Sequence, residues 1–471
     1  MEKYTAVIIG GGPSGHSAAV RIAQLGGRVA LVERDYIGGI CTNWGCTPSK
    51  AMIESAKIAR DVKDSHKYGI DVSDFQINFA RVAARRNQVV LNTRQAVTDL
   101  LLHHKIDLFQ GEAQMVAPGK VRVLKGKLDD EGEMMHYSGG EELLETEHII
   151  IATGSKPLIP GFVDKNDPSV VSSNRLITID ERPEKLTIVG GGVIGLEFAT
   201  IFSNLGSQVT VVEFLDRVLA GMDEDVSAEI TRLMEANGVR ILTSHKVQSV
   251  KDGVLTAENQ KTGEEVKIDC SMTLVAIGRV AVVHEETYDA LGIDYTRRGV
   301  NVNDYQQTNV PGIWAIGDAT GKSILAHVGI QQGIVAAENI MTKAGQPLRE
   351  MDYDVIPAVI YSLPEIVGVG TVPENLDGVQ VIKVPFTANL RAGIEDFTDG
   401  FLKLWIRDDR VVAAQAIGHG VSEIMQELAN MIALKTDIHD VAEIIHAHPT
   451  YSEVIRSALE YSLDKAVDFF I

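Results

Sequence analysis

Cys41 and Cys46 lie five positions apart, with Gly45 directly before the second. A regular α-helix holds residues i and i+5 about 8.6 Å apart at Cα, by its rise and radius. A disulfide requires less than about 7 Å. A bridge between them therefore demands a distorted backbone, and Gly45 is the residue that takes the distortion most easily. A bridge under strain is easier to reduce than a structural one, so the pair reads as a dithiol/disulfide couple for electron transfer. Two other readings compete with it: unrelated buried cysteines, or half of a metal site. Zinc would need two further ligands at recognisable spacing. The only other cysteine, Cys270, stands alone beside the apolar run Met272 to Ile277.

A dithiol that gives up electrons also gives up two protons, so a general base is required. His448 is the candidate, because Pro449 fixes the local backbone and Glu453 follows five residues on. Glu453 would orient the ring and stabilise the imidazolium. His439 and His446 read as surface or capping residues, and His103 and His104 as the end of a helix.

These groups need a framework. A chain of 471 residues is too long for one core and divides into two or three domains. A net charge of −20 argues against nucleic-acid binding, which needs clustered Lys and Arg. Three cysteines exclude a disulfide scaffold and point to a reducing compartment, here the cytoplasm. Met1 to Tyr4 lead directly into a strand-like run, with no signal peptide expected, and no apolar run has the length to span a membrane.

Thr5 to Ile9 reads as a buried parallel strand that runs into Gly10-Gly11-Gly12-Pro13-Ser14-Gly15. A helical pattern follows to Leu25, then a second strand, Arg28 to Val32, ends on Glu33. This is a dinucleotide fingerprint: Gly10 permits the tight turn, Gly12 lets the backbone approach a pyrophosphate, Gly15 lets helix and strand pack closely, and Glu33 can bond ribose hydroxyls. The pattern recurs at Leu186 to Glu213, with Gly190, Gly192 and Gly195 as its glycines. The interval from Gly10 to Glu33 equals that from Gly190 to Glu213, so the chain holds two dinucleotide-binding units. An acidic residue at Glu213 favours a free ribose 2′-hydroxyl, hence NAD over NADP.

Between the units, residues 51 to 104 are mainly helical and residues 106 to 151 read as strands, with Gly126 to Glu142 as an exposed loop or long hairpin. Pro347 to Asp354 looks like a domain junction. Beyond it, four strand-like runs (Ala358 to Tyr361, Val379 to Pro385, Leu402 to Arg407, Val411 to Ile417) precede helical patterns at Glu423 to Leu434 and from Tyr451 to the end. The fold class is therefore α/β, with two Rossmann-like dinucleotide-binding domains and a C-terminal α+β domain. Two nucleotide sites and a labile disulfide make an electron relay, from dithiol to disulfide to flavin to NAD.

Over essentially its full length the chain resembles the pyridine nucleotide-disulfide oxidoreductases, and among them the dihydrolipoyl dehydrogenase branch. The resemblance rests on the redox segment ending Pro48-Ser49-Lys50, both glycine fingerprints, Ala152-Thr153-Gly154, Gly317-Asp318, Leu325-Ala326-His327 and the run His446 to Glu453. It implies an FAD domain (residues 1–155 and 280–350), an NAD domain (156–279) and a dimerisation domain (351–471). It implies a homodimer in which His448 completes the partner's active site, and a lipoylated carrier protein as the substrate partner. By the same resemblance Cys41 is the interchange thiol, Cys46 the flavin-side thiol, and Lys50 lies near flavin N5, paired with Glu197. Gly10, Gly12, Gly15, Glu33, Lys50, Ala113, Thr153, Gly154, Asp318 and Ala326 would hold FAD. Gly190, Gly192, Gly195, Glu213, Val247 and Gly278 would hold NAD.

The chain departs from the family pattern at Thr42, Trp44, Thr47, Val280-Ala281 and Gln331-Gln332, the last two standing where glutamates are usual. Removing that negative charge is expected to act near the nicotinamide end of the flavin. A reductase of another disulfide such as glutathione, or of a specialised lipoyl carrier, is the alternative within the class. A mercuric reductase is disfavoured, since the tail Phe469-Phe470-Ile471 has no cysteine pair. A non-catalytic subunit that keeps only the fold is the alternative outside it.

Overall fold

A computed structural model describes residues 3–128, 135–164 and 167–467. Tyr4–Ile9 (β1) is the centre of the first sheet. It pairs in parallel with Val29–Glu33 (β2) on one side and with the end of the long strand Met135–Ile151 on the other. Asp107–Ala117 extends the sheet beyond β2, and Ile313–Ala315 extends it beyond the long strand, both in parallel. Ala6, Val7 and Ile8 have no exposed surface, as a strand covered on both faces requires. The far ends of Asp107–Ala117 and Met135–Ile151 pair antiparallel with Lys120–Leu128 between them. The Gly126 to Glu142 stretch thus belongs to a long hairpin, paired out to Leu128 and Met135; residues 129–134 lie outside the described residues.

The second unit repeats this plan. Lys185–Val189 lies between Gln208–Val212 and Met272–Val275, with Arg240–Leu242 and Val170–Ser172 at the edges, all parallel. An antiparallel meander of His245–Lys251, Val254–Asn259 and Glu265–Asp269 accompanies it. The chain enters and leaves this unit through one short antiparallel pair, Ser155–Pro157 with Arg279–Ala281.

The C-terminal sheet has five antiparallel strands, not the four read from sequence. The additional one, Glu365–Gly370, contains Gly368 and Gly370, which weaken an alternating pattern. The last helix among the described residues is Glu453–Ser462, shorter than the run read from sequence: Asp464 takes φ 56° and turns the chain out of it. The helices Val421–Ala433 and Glu453–Ser462 share one apolar core with this sheet, through Val421, Leu428, Ile455 and Leu459.

A single buried cluster ties the three regions together. It contains Met52 and Ala56, then Leu196, Phe198 and Phe202 of the second unit, and Ile360, Ile366 and Phe401 of the C-terminal sheet. Among the described residues no helix is long and apolar enough to cross a membrane.

Candidate redox-active site

After β2 the chain forms two helices in tandem, Gly39–Trp44 (α2) and Cys46–Asp64 (α3), separated by Gly45. Cys41 and Cys46 are disulfide-bonded across this break, with their Cα atoms 4.7 Å apart. A Cβ at residue 45 would lie 3.0 Å from the Ile40 carbonyl oxygen, so glycine permits the approach. Cys41 is half-buried and Cys46 exposed. At the other end of α2, Gly39 has φ 57°, and a Cβ there would meet Gly12 Cα at 2.7 Å. The redox segment is therefore pressed onto the first glycine loop.

Asn43 holds α2 in place. Its Nδ2 donates to the carbonyls of Tyr36, Ile37 and Gly39, and its Oδ1 accepts from Arg94 Nε at 2.9 Å. The Arg94 guanidinium lies 3.7 Å from the Tyr36 ring centroid, and Tyr36 packs on Trp44. Sequence reasoning missed Asn43 and Arg94. The available signal was a polar residue inside an otherwise tightly packed motif.

Lys50 stands four residues past Cys46, on the same face of α3. Its Nζ lies 3.0 Å from each carboxylate oxygen of Glu197, on the second-unit helix Val193–Asn204. The Glu197 side chain is only 10% exposed and that of Lys50 35%, so this pair spans the two units with its anion buried and its cation half-buried.

The two glycine loops are built alike. Gly10 and Gly190 have φ 110° and 108°, and a Cβ on Gly15 or Gly195 would sit 2.0 Å from the Gly10 or Gly190 carbonyl oxygen. Glu33 accepts from the Gly11 and Asp35 N–H groups at 2.6 and 2.7 Å, and Glu213 from those of Gly191 and Leu215 at 2.5 and 2.7 Å. Burial pushes the Glu33 carboxyl pKa up, partly offset by those two N–H bonds. Each carboxylate keeps lone pairs for further donors such as ribose hydroxyls.

The residues present fit a dinucleotide at both loops. A Cβ on Gly12 would find only Gly39 Cα, at 3.9 Å, and one on Gly192 nothing within 4 Å, so both loops leave room beside a helix N-terminus. A cleft of about 300 Å³ at the carboxyl ends of the first sheet is lined by Ile9, Ala113, Ile151, Thr153, His284 and Tyr288. Ala113 and Thr153 thus share one cleft. Gly154 and Gly278 take φ 71° and 132° beside open space. Val247 pairs with Ala257 and is buried with Val189 and Val212 under the second unit.

Asp318 lies in a single helical turn, Gly317–Thr320. Its Oδ2 accepts from Ser155 Oγ at 2.5 Å, and Ser155 accepts in turn from Arg279 Nε at 2.9 Å. No local pattern marks this link between the turn and the two connecting strands. Ala326 opens the helix Ala326–Met341. Gln332, on that helix, has no exposed surface. Its Oε1 accepts from Gly317 N–H at 2.7 Å and its Nε2 donates to Tyr353 Oη at 2.9 Å. The amide thus steadies the Asp318 turn by accepting and donating at once, which a carboxylate cannot do. Its role here is structural.

His448 Nδ1 lies 2.9 Å from Glu453 Oε1, and Glu453 Oε2 accepts from Thr450 N–H at 2.8 Å. Burial disfavours the Glu453 anion, but the bonds from Thr450 and His448 prevail and hold its pKa below the ordinary 4.5. The His448 side chain is 64% exposed. His446 is not the surface or capping residue expected. Its side chain is 7% exposed and its Nε2 pairs with Glu427 at 3.0 Å. Among the described residues no group of three or more His, Cys, Asp or Glu could hold a metal ion.

A linked pair of cysteines beside two dinucleotide loops defines a class, and the comparisons agree with it. The pattern of the pyridine nucleotide-disulphide oxidoreductases matches residues 4–333, and that of their dimerisation domain residues 356–459. The chain belongs to this family. It is 36% identical to a dihydrolipoyl dehydrogenase of Geobacillus stearothermophilus over 468 residues, 97% of this chain and 96% of the relative. It is also 36% identical over 473 residues to one of Bacillus subtilis, covering 98% and 97%. The Cu(II) complex of the HOCl-induced flavoprotein disulfide reductase RclA from Escherichia coli is similar at TM-score 0.85 and 26% identity, covering 98% of this chain and 100% of that one. The chain is an FAD- and NAD-dependent oxidoreductase acting on sulfur, and its dimerisation domain supports a homodimer.

Proposed function

We propose that this chain oxidises dihydrolipoyl groups on a lipoylated carrier protein of a cytoplasmic multienzyme system, with NAD as the final acceptor. The observation that carries the reading is the Cys41–Cys46 bridge across the Gly45 break, pressed on one glycine loop and four residues from the Lys50–Glu197 pair. A carrier thiolate attacks Cys41 Sγ and opens the bridge, releasing Cys46 as thiolate. The second carrier thiolate displaces Cys41, which closes the carrier disulfide and leaves both cysteines reduced. His448 of the partner subunit, oriented by Glu453, accepts a proton lost from the carrier dithiol. FAD, when bound, would supply the two-electron link between the reduced cysteines and NAD.

In this proposal residues 1–155 and 280–350 hold FAD through Gly10, Gly12, Gly15, Glu33, Ala113, Thr153, Gly154, Asp318 and Ala326, with Lys50 at the reacting end. Residues 156–279 hold NAD through Gly190, Gly192, Gly195, Glu213, Val247 and Gly278. The likeness to a flavoprotein disulfide reductase supports a second reading, reduction of another disulfide by NADH.

The visible spectrum of the purified protein, before and after anaerobic dihydrolipoamide, separates the two. Flavin bands followed by a long-wavelength charge-transfer band establish the dithiol substrate. Bands that respond to NADH but not to dihydrolipoamide move the substrate to another disulfide.

A further inference from the structure

Tyr361 follows the first strand of the C-terminal sheet, Ala358–Ile360, and reaches the pair between Lys50 and Glu197. Its backbone N–H donates to Glu197 Oε1 at 3.1 Å. Its ring lies 4.3 Å from Lys50 Nζ, measured to the centroid. One residue therefore holds both members of the pair, the anion through its main chain and the cation through its ring. An ammonium has three N–H groups. Two directions are taken by the Glu197 oxygens, and the ring supplies a further favourable face. Lys50 is a long, flexible side chain whose charge would otherwise sample several positions. Burial, followed by the charges of Glu365, Glu197 and Glu423, raises the Tyr361 pKa, so the ring stays neutral under working conditions.

We infer that Tyr361 is a positioning residue for the redox site, fixing the Lys50 charge through its ring and so linking the C-terminal domain to the site in its own subunit. This rests on the proposed role of Lys50 beside the flavin. The C-terminal domain would then act on both sites of a dimer, on its own through Tyr361 and on the partner's through His448.

The test measures the balance of oxidised and reduced flavin in the holoenzyme, titrated against a redox dye, for Tyr361→Leu, Lys50→Gln and the double variant. Lys50→Gln keeps an N–H donor for Glu197 while removing the charge. Tyr361→Leu is expected to move the balance two- to tenfold toward oxidised flavin, on the order of one cation–π contact. Lys50→Gln moves it further the same way, and Tyr361→Leu adds nothing in the Lys50→Gln background. Tyr361→Phe restores the wild-type balance. Should Tyr361→Leu fail to fold, phenylalanines of increasing ring fluorination at residue 361 replace it, and the balance should shift in step with fluorination. A Tyr361→Leu effect that persists without Lys50, a Tyr361→Leu variant with wild-type balance, or a flat fluorination series overturns the inference. A silent Lys50→Gln variant overturns the underlying reading of Lys50 instead, and the inference with it.

Discussion

The two βαβ units share the order of four strands, glycine geometry and carboxylate contacts, yet they differ in what surrounds the glycine loop. In the first, Gly39 sits against Gly12, and a Cβ on Gly317, Gly329 or Gly333 would strike Ser14 at 2.5, 3.3 and 2.5 Å. The loop is walled by the redox helix and by segments some three hundred residues later in the chain. In the second, Gly192 and Gly278 border open space, and Phe214 and Leu215 beside Glu213 are 55% and 47% exposed. Nearly the same local sequence therefore builds a closed cradle and an open one. The contrast suits a cofactor that stays bound in the first and one that exchanges in the second.

The sharpest way to break the comparison is at the turn glycines. Gly10→Ala places a Cβ 2.2 Å from the Ala152 carbonyl oxygen at φ 110°, and Gly190→Ala places one 2.5 Å from that of Ala276 at φ 108°. Each should cost about 3 kcal/mol or more, read as a lower denaturation midpoint. Only Gly10→Ala should also abolish the yellow colour. The proposed base lies outside both units, on the C-terminal domain, so Glu453→Gln should reduce turnover with dihydrolipoamide on the order of a hundredfold while anaerobic flavin reduction by NADH is unchanged. Because the Glu453 pKa is depressed, the stability its anion contributes is present above the ordinary 4.5 and is lost as pH falls through the lower folded value. Wild-type thermal stability should thus decline at acid pH more steeply than that of Glu453→Gln.

Gly12→Ala and Gly192→Ala test the cradles themselves. Neither Cβ meets a close neighbour, so the melting temperature of the apoprotein should barely move. Gly12→Ala should lose flavin on gel filtration. Gly192→Ala should stay yellow with an NADH KM raised about tenfold, roughly one lost close backbone contact. The smallest effect concerns an anchor of the second unit. Lys403, on the C-terminal sheet, donates to Asp223 and Asp225 at 2.7 and 2.8 Å. Lys403→Met should lower stability by about 1 kcal/mol in a denaturant titration, with flavin content intact.

Legibility follows the range of the interactions. Both glycine fingerprints and their acidic ends could be read because their constraints act within one unit: Gly15 must clear the Gly10 carbonyl, and Glu33 must reach Gly11. The Cys41–Cys46 pair was legible for the same reason. Asn43 with Arg94, Arg279 with Ser155, and Gln332 with Tyr353 were not, since each partner lies on a separate element and no periodic pattern marks it. Tyr361 was hidden because it acts through a main-chain N–H and a ring face, neither of which its residue type reveals. His446 was misread for want of Glu427, which only the folded C-terminal domain brings to it.

The pairing of Ser155–Pro157 with Arg279–Ala281 sets the point of departure of the second unit directly beside its point of return. To the first unit, everything from residue 158 to residue 278 is an insertion entered and left at one two-strand stalk, and docked a second time through Met52, Ala56, Leu196 and Phe202. Such an insertion can change in length away from its docked face while the parent sheet keeps its own order. The second unit is thus an insertion rather than a separate bead: it enters and leaves at one place, yet the core it shares with Met52, Ala56 and the C-terminal sheet makes it part of the same folding unit.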